Sequence, residues 1–131
     1  MNHELSAALR AHASGIYCLE AAAKLIIGHH TLLYRSDFTG FIVTDLSIID
    51  DTEIASIDWP AAISALDTGE LPCSGGEQRI LRLAASLADG IPVSLRDTLI
   101  GLDDRNIKLV VTAVLHTSGR QSPPTIQDHD L

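Results

Sequence analysis

The sequence predicts an all-α domain, five to six helices packed compactly around a long N-terminal helix. Three observations carry that expectation. Across residues 4–34, Leu5, Leu9, His12, Ile16, Leu19, Ala23, Ile26, His30 and Leu33 recur at alternating gaps of four and three, which sets them on one side of a helix. Beside them runs a stripe of small residues, Ala8, Ala11, Gly15, Cys18 and Ala22, that lets a second helix come close. Downstream, helix-start residues repeatedly precede helical apolar spacing and glycines repeatedly follow it.

Taken in order, the first helix is expected to run unbroken over about residues 4–34. An internal Gly15 costs about 1 kcal/mol, which burial at roughly 1.5–3 kcal/mol per large side chain outweighs. Ser36 and Asp37 then read as a fresh N-cap. Phe38, Phe41, Ile42, Leu46 and Ile49 keep helical spacing, although Phe41-Ile42-Val43-Thr44 is β-branched enough for a strand. With no obvious strand to pair with, the expectation is a short helix over 37–45 and a loop after it.

Asp58 and Pro60 open the next helix, with Trp59, Ala62, Ile63 and Leu66 as its apolar face and Gly69 as its stop. Ser74 and Glu77 form a capping box for a helix that buries Ile80, Leu83, Ala84, Leu87 and Ala88 and ends at Gly90. Ser94 opens a short helix reaching Gly101. Asp103 or Asp104 opens the last, whose stripe is Ile107, Val110, Val111, Val114 and Leu115, stopping at Gly119. Residues 1–119 are expected to make one domain, and 120–131, rich in Pro and Asp, a disordered tail.

Composition narrows the role. The net charge of −8, from 17 acids and 9 bases, argues against nonspecific binding to nucleic acid or anionic membranes. No apolar run is long enough to span a bilayer, and no signal peptide is evident. With two cysteines in no metal or disulfide spacing, Cys18 expected as a buried thiol, a reducing cytoplasm is the expected compartment. Acids are unevenly placed. Residues 36–78 hold Asp37, Asp45, Asp50, Asp51, Glu53, Asp58, Asp67, Glu70 and Glu77 but no Lys or Arg, which reads as a solvated acidic surface.

Motifs that carry chemistry are sparse. Ser74-Gly75-Gly76-Glu77-Gln78-Arg79 resembles the signature motif of ABC-type ATPases, whose Ser and Gly backbone groups contact the ATP γ-phosphate across a dimer. The resemblance covers six residues. The chain has no Gly-x-x-x-x-Gly-Lys-Ser/Thr loop and no apolar strand ending in Asp-Glu. Helix capping alone accounts for the six. His12 and His30, on the large apolar stripe, are expected to be buried and neutral. They lie about 27 Å apart along a helix at 1.5 Å per residue, and no histidine spacing fits a metal. Neither a metal nor a cofactor is expected.

By elimination the expected role is a cytoplasmic interaction module, a homodimer whose contact surface includes Phe38, Phe41, Ile42, Leu46 and Ile49. Two alternatives remain. One is a helix-turn-helix DNA-binding regulator over residues 77–102, although its second helix offers only Arg96 as a base. The other is a small ligand-binding protein or enzyme with a pocket near His30, Tyr34 and Trp59.

Overall fold

In the computed structural model, which describes residues 3–123 and 125, the N-terminal stripe is two helices, α1 (His3–Ala13) and α2 (Tyr17–His29), rather than one. Gly15 breaks it, taking a left-handed φ of +88° that only glycine adopts without cost. Its N–H donates to Glu20 Oε2 at 3.0 Å, which fixes the turn to the first turn of α2. The break has a tertiary cause. α1 packs on a β-strand, whereas α2 packs on two later helices, so the two halves serve different partners. Ile16 and His12 consequently lie at the surface, and Cys18 is half-buried.

The chain continues through a 3₁₀ turn (Thr31–Tyr34), α3 (Ser36–Thr39), β1 (Ile42–Leu46), β2 (Glu53–Ile57), α4 (Trp59–Thr68), α5 (Gly75–Asp89), α6 (Leu95–Leu99) and α7 (Asp104–Thr117). The fold is therefore mostly helical but not purely α, and its α-helices among the described residues exceed the expected five to six. The helix expected over 37–45 stops at Thr39. From Ile42 the chain pairs antiparallel with β2, Ile42 opposite Ile57 and Leu46 opposite Glu53. The missing strand partner was thus Glu53-Ile54-Ala55-Ser56-Ile57, whose buried face is Ala55 and Ile57. Asp58 N–H donates to Phe41 C=O at 2.8 Å, extending the ladder by one bond.

The helix starts follow their caps. Asp58, Ser74, Ser94 and Asp103 each accept a hydrogen bond from the backbone N–H three residues on, and the Ser74–Glu77 capping box is complete. Gly69 and Gly90 end α4 and α5 in the left-handed region, as expected. The α7 face, however, is turned from the expected stripe. Asn106, Val110 and Ala113 are buried, while Val111 and Val114 are exposed.

The core centres on α2, whose Ala21, Ala22, Leu25 and Ile26 are almost fully buried against α5, α7 and α1. Phe38, Leu32, Leu71, Ile80 and Leu81 complete it. Small residues let α7 come close: a Cβ added at Gly28 would sit 2.8 Å from Leu109 Cδ2. The tail expected over 120–131 falls mostly on positions 124 and 126–131, which lie outside the described residues.

His29, not His12 or His30, is the covered histidine. Neither of its ring nitrogens meets solvent or a hydrogen-bond partner among the described residues. Burial first, then Arg105 and His30, push its ionisation below the ordinary 6.5, against the opposing pull of Glu77 and Asp103. The unfolded chain therefore binds the extra proton more readily, so this contribution to stability is full above about 6.5 and is lost as pH falls through the lower folded value. Urea midpoints of the wild type should fall between about pH 7.5 and 5.5, and less steeply in His29→Leu; equal slopes would contradict the assignment. Gly15→Ala, with no neighbour to strike, should lower stability by roughly 1–2 kcal/mol through backbone strain alone. An unchanged urea midpoint would show that the turn is not held as described.

Candidate functional site

The residues expected to line a ligand pocket divide between two depressions. His30 caps the C-terminus of α2 and Tyr34 ends the 3₁₀ turn, their rings edge to face with centroids 6.1 Å apart. They line a depression of about 330 Å³ with His3, Ser6 and Arg10 from α1 and with Ile27 and Leu33. Trp59 is buried and lines a different depression, about 210 Å³, beside His12, Ser56 and Asp89. The structure therefore joins His30 to Tyr34 but not to Trp59. Sequence reasoning missed His3, Ser6 and Arg10. Their i, i+3, i+7 spacing puts them on one face of α1, but only the reversal at Gly15 brings that face to the end of α2.

The residues expected at an interface also separate. Phe38 is fully buried in the core, and Phe41 and Ile42 are half-buried at the base of the hairpin. Leu46 and Ile49 are exposed, and beside them Ile48 is completely exposed. The hairpin tip is tied together by its own polar groups. Ser47 N–H donates to Thr52 C=O at 2.8 Å, Thr52 N–H to Asp50 Oδ1 at 3.0 Å, and Asp51 sits at a positive φ of 56°. These two isoleucines are thus presented by an ordered turn. A second apolar surface lies between α5, α6 and α7. There a groove of about 190 Å³ is lined by Leu25, Leu83, Leu87, Val93, Leu95, Leu99, Val110 and Val114, of which Leu95, Leu99 and Val114 are exposed.

Two polar clusters tie elements together. Arg35 donates to Asp37 through Nε and Nη2 (3.0 and 2.6 Å), to Glu77 Oε1 through Nη1 (3.1 Å) and to the Pro72 C=O through Nη2. Asp37 holds the guanidinium charged, and Arg35 in turn holds the Asp37 carboxyl below the usual range. Because Glu77 Oε1 also accepts from Ser74 N–H at 2.9 Å, Arg35 locks the start of α3 to the start of α5. Burial raises the nearby Cys73 thiol above its ordinary value, outweighing Arg35, which leaves it protonated and a poor nucleophile at neutral pH. The second cluster joins α2 to α7. Glu20, kept below the ordinary carboxylate range first by Gly15 N–H and then by His116, lies 2.8 Å from His116 Nε2, and Lys24 Nζ lies 3.2 Å from Nδ1.

Among the described residues no group of three or more His, Cys, Asp or Glu could hold a metal ion, and no helix is long and apolar enough to cross a membrane. The segment considered for DNA reading presents α6 as a five-residue helix, with Leu95 and Leu99 lining the apolar groove and Arg96 exposed. No family model, curated protein or solved structure matches the chain.

Arg35→Ala strips Glu77 and the Pro72 carbonyl of a charged donor in a partly buried setting, a loss of about 1.5–3 kcal/mol by urea denaturation. Asp37→Asn removes only the more exposed partner and should cost less than about 1 kcal/mol. Equal effects from the two would show that the α3–α5 lock is not the source of the stability.

Proposed function

We propose that the protein is a self-associating interaction module acting in a reducing, cytoplasmic setting, with the β1–β2 hairpin as its contact element. One observation carries this reading: Ile48 and Ile49 stand 101 % and 91 % exposed at the end of a two-stranded sheet. Among the described residues β1 pairs with β2 alone, which leaves its other edge without a strand, and an unpaired, apolar edge is a template for association. Both cysteines, Cys18 and Cys73, are free, as a reducing compartment would keep them.

The occupant proposed is a second copy, and charge argues for how it sits. Residues 36–78 carry nine acids, those named above, and no base, so two hairpins placed together would repel. Residues 79–120 carry Arg79, Arg82, Arg96, Arg105, Lys108 and Arg120 against Asp89, Asp97, Asp103 and Asp104. The same stretch supplies most of the apolar groove, including its exposed Leu95, Leu99 and Val114. A hairpin ending in two isoleucines complements that groove in apolarity, and its acids would meet a stretch whose bases outnumber its acids by six to four. With each copy giving a hairpin and receiving one, the contact closes on a two-fold axis. Nucleic acid and membranes, which require basic surface, have no part in this reading.

Light scattering on a sizing column at tens of micromolar should return a dimer for the wild type. Ile48→Asp/Ile49→Asp and, separately, Val114→Asp should each return a folded monomer, whose thermal melt no longer shifts with protein concentration as the wild-type melt does. A wild-type monomer at that concentration would overturn the proposal.

A further inference from the structure

We infer that the depression between α1 and the C-terminal end of α2 binds a small phosphate monoester. Its polar lining is chemically one-sided. His3, Ser6, Arg10, His30 and Tyr34 can all donate hydrogen bonds, and among the described residues no carboxylate lines the depression, in a chain of 17 acids and 9 bases. Among the described residues the Arg10 guanidinium enters no ion pair or hydrogen bond. Arg10 also borders the neighbouring depression that holds Glu20, but both Glu20 oxygens are taken, one by His116 and the other by Gly15 N–H. The one arginine of α1 is therefore left to the depression.

Phosphate suits the lining better than carboxylate does. A guanidinium fork meets two anionic oxygens at once, and a phosphate monoester offers three acceptor oxygens to the further donors around it. The volume of about 330 Å³ lies near the lower end of small-molecule sites, roughly 300–1,000 Å³. Beyond the phosphate there is room for one small apolar group against Ile27 and Leu33.

The backbone at His30 points the same way. The chain closes α4 and α5 with Gly69 and Gly90 in the left-handed region, yet closes α2 with His30 at φ 59°. A non-glycine residue there costs free energy that glycine would not, and strain of this kind gathers at ligand sites. The imidazole so placed lies against the Tyr34 ring on the wall of the depression.

This conformation supplies the decisive variant, because His30→Gly removes the donor while relieving the backbone. Phenyl phosphate, titrated calorimetrically into wild type, Arg10→Gln and His30→Gly, should bind the wild type saturably at one site per chain. Each variant should weaken it about tenfold or more, the worth of one charge-assisted hydrogen bond. His30→Gly should melt at or above the wild-type temperature, and benzoate, the carboxylate counterpart, should bind more weakly than phenyl phosphate. The inference is overturned by absence of saturable binding, by affinity unchanged in both variants, or by benzoate binding as tightly. His30→Gly melting well below wild type would assign His30 to packing and remove it from the site.

Discussion

Three elements converge on α2, and the need to cover that one short helix on several sides shapes the rest of the chain. Its buried face is Ala21, Ala22, Leu25 and Ile26, mostly small side chains, so neighbours gain contact only by approaching closely. α5 and α7 do so from the later half of the chain, and Gly28 marks how near α7 comes. α1 must leave the α2 axis to reach β2, and Gly15 permits that turn at the least conformational cost. Once α1 has turned, its Ala8, Leu9 and Ala13 go to the core, while His3, Ser6 and Arg10 arrive beside His30. One break in one helix therefore creates both the packing and the polar depression.

What was legible in the sequence was local. Asp58, Ser74, Ser94 and Asp103 announce their helices because a side-chain oxygen and a backbone N–H three residues on settle the matter within one turn. What was not legible depended on distant partners. The apolar spacing of residues 4–34 holds equally for one rod or two, since the stripe records helical phase and not the direction of the axis. The hairpin was hidden because Ala55, its most buried residue, is small and adds little to an apolar pattern. The α7 face was misjudged because Asn106, polar yet buried, lies on the core side where a valine stripe seemed the better guide.

The site divides along the same line. His30 and Tyr34 were found because four residues of spacing brings them together locally, even though the chain passes through a left-handed residue and a 3₁₀ turn. Trp59 was assigned with them and belongs elsewhere, because no local rule states which side of a helix bundle a tryptophan in the first turn of α4 reaches. Interface residues fared similarly. Leu46 and Ile49 are exposed, but Phe38, from the same apolar run, became core when the run split between α3 and β1. The most exposed apolar residue, Ile48, went unnoticed because it breaks helical spacing, the wrong periodicity for a hairpin tip.

Native-state hydrogen exchange tests the account's centre most directly, because it measures each amide's opening free energy separately. If α2 is the element every other one clasps, its amides over 21–26, with those of α5, should exchange only through global unfolding. Amides of β1 that face its open edge should exchange far faster. Exchange of the α2 amides at rates like those of the hairpin, with slow exchange confined to other helices, would contradict the claim that the fold is built around α2.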